Sequence, residues 1–301
     1  MKILYFTKAT ILLSLTTVSL VSFCTLITAS FPKAPYKILG AKTRPTYPLF
    51  NFDETAFYRG VSQVKESNQK LNYKVYGGVV THHILASSLI AEFFVSLVPQ
   101  DPKTIILVGP NHFDTGKFEA LTSSFGWETP FGIVEPNGEL VGELVGTGLV
   151  QEDEDVFSKE HSIGALVSYI KYYLPGAKLV PIILKPSYEL KDSVNLAGVV
   201  GGMLGENTVL IASVDFSHYL KSFEAEEKDK TTLAVIKAGD LERLFSFNSD
   251  FLDCPGCVAT TLLTMENKHK SNLEVLGHTN SGKILGDGEA PTTSYFLMSF
   301  H

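Results

Sequence analysis

Three times in this chain a run of strand-forming apolar residues stops close to a histidine. Gly77-Gly-Val-Val80 leads into Thr81-His82-His83, Ile105–Val108 into Gly-Pro-Asn-His112, and Val209–Val214 into Asp215-Phe-Ser-His218. Short continuous apolar runs bounded by turn residues read as strands buried on both faces, the pattern of a parallel sheet covered by helices on either side. In open α/β sheets ligands bind beyond the carboxyl ends of the strands, where loops converge on a crevice. If these three strands lie side by side, their ends gather imidazoles and a carboxylate in one place, the makings of metal or acid/base chemistry.

The segments between them support that architecture. Apolar residues at helical spacing (Leu85, Leu89, Phe93, Leu97) predict a helix after His83, and further helical patterns run over 161–174, 194–204, 223–237, 240–247 and 258–265. Residues 178–184, 273–276 and 293–300 read as additional strands, while the glycines between Phe118 and Val150 suggest an insertion with short strands. Alternating strands and helices predict one α/β domain with a mainly parallel or mixed central sheet flanked by helices, spanning 75–301. The proline-bearing stretch before it, 33–74, reads as a linker or arm followed by a short helix.

With 45% hydrophobic and 19% charged residues in 301, the chain is globular rather than disordered. A net charge of −7, without Lys/Arg clusters interleaved with aromatics, argues against nucleic acid as a partner. Three cysteines exclude a disulfide scaffold. Residues 1–32 differ from the rest: Lys2 and Lys8 precede a charge-free run from Ala9 to Pro32. That run predicts an N-terminal apolar helix, either a signal peptide with Thr28-Ala29-Ser30 as its exit or an uncleaved membrane anchor. In both cases the main domain is expected outside the cytoplasm, membrane-anchored or exported.

Two further motifs keep alternatives open. Cys254-Pro-Gly-Cys257 has the spacing of a redox pair or half a zinc site, but no second pair completes a zinc ribbon, and accidental spacing is as good an account. A single thiolate joining the histidines would suit iron or copper as well as zinc. Glu160-His161-Ser162 is equally well an ordinary helix start or a way of bringing His161 to the crevice. His269, His278 and His301 are assigned no task.

Taken in order, Thr-His82-His, Gly-Pro-Asn-His112, Glu160-His161-Ser, Asp215-Phe-Ser-His218, Cys254 and Pro291-Thr-Thr-Ser-Tyr295 resemble the Memo-like family, also named AmmeMemoRadiSam system protein B. That family is similar in fold to the class III extradiol ring-cleaving dioxygenases. The resemblance runs from about Gly77 to the carboxyl terminus. It implies metal ligands at His82, His112 and Cys254, and matches of Asp215, His218 and His161 to the family's other motif segments. Thr81 stands where the family usually has proline, and Phe113 where it often has a second histidine.

The resulting expectation is a non-haem metal oxidase or dioxygenase-like enzyme acting on a small molecule of unknown identity. Iron(II) is favoured, with copper or zinc next. The catalytic group would be His218, oriented by Asp215, together with His161. A metal-binding or scaffold protein of the same fold without turnover is the alternative, distinguished by whether the metal keeps an open position. A hydrolase using metal-bound water ranks last.

Overall fold

A computed structural model describes residues 44–67 and 71–301, and Arg44–His301 forms one compact unit. Its centre is a nine-stranded mixed sheet. Gly77–Val80 runs parallel to Thr208–Ser213, which runs parallel to Thr104–Pro110, which in turn runs parallel to Lys178–Leu184. The closing strand Thr292–Phe300 is antiparallel to Gly77–Val80, pairs on its other edge with Leu273–Asn280, and pairs at its start with His218–Leu220. At the opposite edge Ala120–Thr122 pairs antiparallel with Lys178–Leu184, and Gln151–Glu152 lies beside it.

The apolar runs are continuous because both faces of the sheet are covered. Successive side chains of a strand point to opposite faces. Ile106 and Val108 enter a core with Val180, Leu210 and Ala212, closed by Leu196 and Val200 of helix Leu190–Met203 and Val258 and Ala259 of helix Pro255–Asn267. Ile105 and Leu107 enter the other core, with Ile183, Val209 and Ile211, closed by Ile90, Phe93 and Phe94 of helix Ser87–Leu97 and Ile163, Leu166 and Ile170 of helix His161–Tyr173. A one-residue slip would exchange both sets, so burial on two faces fixes the register. The arm joins the second core: Thr46–Tyr47 pairs parallel with Gly126–Trp127, and Phe57 of helix Glu54–Ser67 is buried there.

The single α/β domain with a mixed sheet is as expected. The expectation of a membrane-anchored or exported protein is corrected: among the described residues no helix is long and apolar enough to cross a membrane. The longest described helix, Ser222–Ala238, has 17 residues and carries Glu224, Glu226, Glu227, Lys228, Asp229 and Lys230, a charge density that hydrocarbon does not accept. The apolar helix read over 1–32, with its signal-peptide and anchor alternatives, lies outside the described residues.

Candidate metal centre

The register places three strand ends together. Val80 pairs with Ser213, and Val108 pairs with Ala212 on the other side of the same strand. The loops that follow therefore bring His82, Asp215 and His112 to one edge of the sheet. His82 is 2% exposed, whereas its neighbour His83 turns outward and bonds through Nδ1 to the Tyr295 hydroxyl at 3.1 Å.

Buried partners fix which nitrogen of each ring faces the crevice. Ser213 donates its hydroxyl proton to the Ser162 carbonyl at 2.6 Å, so its Oγ is left to accept from His82 Nδ1, 3.0 Å away. The proton on His82 is thereby on Nδ1, and the lone pair is on Nε2. His112 is held in the same way by Glu160, whose Oε1 lies 2.7 Å from His112 Nδ1 and whose Oε2 accepts the His112 backbone N–H at 2.9 Å. Glu160 sits at the start of helix His161–Tyr173 and also accepts the Ser162 N–H. Burial works to raise its pKa, but the His112 imidazole and these N–H donors hold it below the usual carboxylate range.

Both Nε2 atoms face Asp253. Its Oδ2 is 3.5 Å from His82 Nε2 and 3.8 Å from His112 Nε2. Asp215 Oδ2 is also 3.5 Å from His82 Nε2, while Oδ1 accepts from the Thr81 hydroxyl and the His82 N–H. His161 completes a second grouping. Its ring stacks on His112 with centroids 3.9 Å apart, and ligand atoms of His82, His112 and His161 all lie within 4.8 Å of one another.

Electrostatics suit metal ligation. Burial first, then the neighbouring His112 and His161 rings, lowers the His82 pKa to about 4, so the ring is neutral at neutral pH. Burial and His112 likewise lower His161. Burial and the adjacent Asp215 push Asp253 well above the usual carboxylate range, while His82 and the Thr81 hydroxyl bring Asp215 below its own despite burial. The fit to a metal rests on Asp253: its Oδ2 lies near both ring nitrogens and accepts the Asp215 N–H, while its Oδ1 is buried with no hydrogen-bond partner. A cation held by this carboxyl would supply the partner that Oδ1 lacks and offset the cost of burying the charge.

The remaining expected residues are placed as follows. His218 is half-buried on the wall of an adjoining cavity of about 480 Å³, where His112, Asp253 and Cys254 also lie. Its Nδ1 faces the Ser249 carbonyl at 3.3 Å rather than Asp215. Asp215 still acts on it through charge, but burial is stronger and the His218 pKa is lowered. Cys254 is joined to Cys257 in a disulfide. A disulfide sulfur has no thiolate to offer, and neither converging group contains a cysteine. Asp253 carries no sequence signal of its own, Ser213 is marked only as part of the Ser213-Val-Asp215-Phe-Ser-His218 segment, and Glu160 reads only with the helix start.

Known proteins resemble this chain in sequence and in fold. The family described as Memo-like protein matches residues 64–296. A MEMO1 family protein of Pyrobaculum arsenaticum is 32% identical over 244 residues, covering 77% of this chain and 85% of the relative. One from Nitrosopumilus maritimus is 27% identical over 228 residues, covering 72% and 81%. Among solved structures, an uncharacterized protein of Escherichia coli K12, JW3007, superposes with a TM-score of 0.52 at 14% identity, over 75% of this chain and 99% of that one. At that identity it shows the fold alone.

Proposed function

This chain belongs to the Memo-like family, and from that premise we propose that it binds one redox-active transition metal at the His82–His112 end of its cavity and carries out an oxidase- or dioxygenase-like reaction on a small molecule. The observation that carries the reading is the pair of anchored rings: buried acceptors on both Nδ1 atoms turn two Nε2 atoms toward Asp253, whose Oδ2 takes the Asp215 N–H and whose Oδ1 is buried without a partner. His82, His112 and Asp253 would hold the metal, with His161 beside them. Two imidazoles and one carboxylate suit iron(II) before copper or zinc. When bound, the metal supplies Lewis-acid and redox chemistry.

The chain's own residues supply the rest. Ser213 and Glu160 hold the ligand rings in orientation, as carboxylates and hydroxyls behind metal-bound histidines do. His218, neutral at neutral pH because burial lowers it, keeps its Nδ1 proton on the Ser249 carbonyl. Its Nε2 is left to take a proton from a molecule in the cavity, the role of a general base. The test is metal content after anaerobic purification, with oxygen uptake measured on the loaded protein. About one iron per chain, lost in His82→Ala and His112→Ala, is expected. Unchanged metal in both variants overturns the reading, and full metal with no turnover on any small molecule reduces it to a binding protein.

A further inference from the structure

The cavity beside the candidate metal centre carries a positive charge at a defined place. Among the described residues Lys185 is the one lysine or arginine on its wall. It follows the strand Lys178–Leu184, whose last residue pairs with Pro110, so Lys185 stands at the same sheet edge as Asn111 and His112, one strand away. Its backbone is pinned on both sides: its N–H donates to the Glu119 carbonyl at 2.9 Å and its carbonyl accepts from Tyr188 at 3.0 Å. The side chain is only 14% exposed. Its ion-pair partner, Asp114 at 3.5 Å, is 64% exposed. An ion pair with so exposed a partner is weak, so the Lys185 ammonium has charge left to offer a ligand.

The rest of the wall selects among anions. Tyr188, Phe245, Phe247 and Leu252 give it an apolar body. A single ammonium lacks the several donors that a phosphate dianion needs. The volume of about 480 Å³ is that of a small-molecule site. We propose that this cavity binds a small organic monocarboxylate, its carboxylate on Lys185 Nζ, its apolar body along Tyr188, Phe245, Phe247 and Leu252, and its far end at His112 and Asp253. This rests on the reading of the cavity as the substrate site of the metal centre.

The experiment is calorimetric titration of the full chain with phenylacetate, hexanoate, their two amides and phenyl phosphate, with metal content measured on the same samples. The carboxylates should bind about tenfold or more tightly than the amides, as a hydrogen bond to a charged group implies. Lys185→Met should remove that preference without changing the metal content, and Asp114→Ala, which frees Lys185, should strengthen it. Equal binding of acid and amide, tightest binding of the phosphate, or unchanged carboxylate affinity in Lys185→Met would each overturn the proposal. If Lys185→Met does not fold, the acid-to-amide ratio of the unmodified protein decides alone. A metal-free protein that still prefers acids refutes only the metal reading, whereas a metal-loaded protein indifferent to charge refutes only this one.

Discussion

His112 Nδ1 lies 2.7 Å from Oε1 of Glu160, and the same buried carboxylate accepts two backbone N–H groups, those of His112 and Ser162. One side chain thus sets a strand-end loop, a helix start and the tautomer of a candidate ligand. Glu160→Gln would turn an amide NH2 toward one of these donors. Metal affinity is expected to fall about 10–100-fold, the usual cost of losing such an orienting partner, and the metal-free protein to lose about 1–3 kcal/mol from a buried donor without an acceptor. Chelator competition and thermal unfolding measure the two separately. Unchanged affinity with reduced stability would leave Glu160 as a purely structural residue.

Acid should destabilise the metal-free protein in a defined window. An unfolded histidine takes up a proton near its ordinary value of 6.5, while buried His82 resists until about pH 4. Between those values the unfolded state binds more protons, so stability rises with pH there and is lost on acidification. The His82 gap implies on the order of 3 kcal/mol across the window. Asp253, whose raised pKa makes the folded state bind its proton first, acts against it. His161 and His218, also lowered by burial, act with His82. Glu160 acts in the same direction lower down: its folded pKa is depressed, so its contribution is present above the unfolded carboxylate value and disappears as pH falls through the folded one. Denaturant unfolding of metal-free protein from pH 7 to 4 tests this. His82→Gln, which does not titrate, should flatten the slope above pH 4.5, and an unchanged slope would show that His82 is not the group responsible.

The sequence made the strands and their histidine endings legible because burial on both faces leaves continuous apolar runs such as Ile105–Val108. The strand pattern leaves His82 and His83 equivalent, and only the family resemblance separates them; in the fold His82 is buried and His83 exposed. Asp253 was harder to see. Its segment reaches the site through backbone pairing across 38 residues: Asp253 N–H donates to the Asp215 carbonyl, Asp215 N–H donates back to Asp253 Oδ2, and Phe216 bridges to Leu252. No strand pattern or periodicity marks such a loop. Glu160 was obscured for another reason, since an acidic residue before a helix reads as a cap, and here it is both a cap to Ser162 N–H and the acceptor for His112.

Asp253 and Cys254 are adjacent but held in opposite states, one with a free buried oxygen and the other committed to a disulfide. In the oxidised protein, Asp253→Asn should lower metal affinity by tenfold or more, since an amide is a poorer ligand than a carboxylate. The double variant Cys254→Ser/Cys257→Ser should keep its metal while losing thermal stability, because the cross-link is gone. Metal loss in the cysteine variant with retention in Asp253→Asn would reverse the two assignments and return the thiolate to the site.

The last prediction concerns a glycine that never touches the crevice. A Cβ on Gly109 would sit 2.7 Å from Ser162 Oγ and 2.8 Å from Ser162 Cβ. Ser162 ties the site together: its hydroxyl donates to the Pro110 carbonyl at 2.9 Å, and its own carbonyl accepts the Ser213 hydroxyl that orients His82. A methyl group here must push the start of helix His161–Tyr173 away from the strand, moving the acceptors behind His82 and His112 at once. Gly109→Ala should therefore cost about 1–3 kcal/mol as overpacking and weaken metal binding as well. Gly198 in helix Leu190–Met203 is the control, because a Cβ there meets nothing within 4 Å. Gly198→Ala should leave metal affinity unchanged and stabilise by up to about 1 kcal/mol through helix propensity. If Gly109→Ala lowers the melting temperature yet binds metal as tightly as the unmodified chain, the orientation of the two histidines does not depend on the Ser162 contacts.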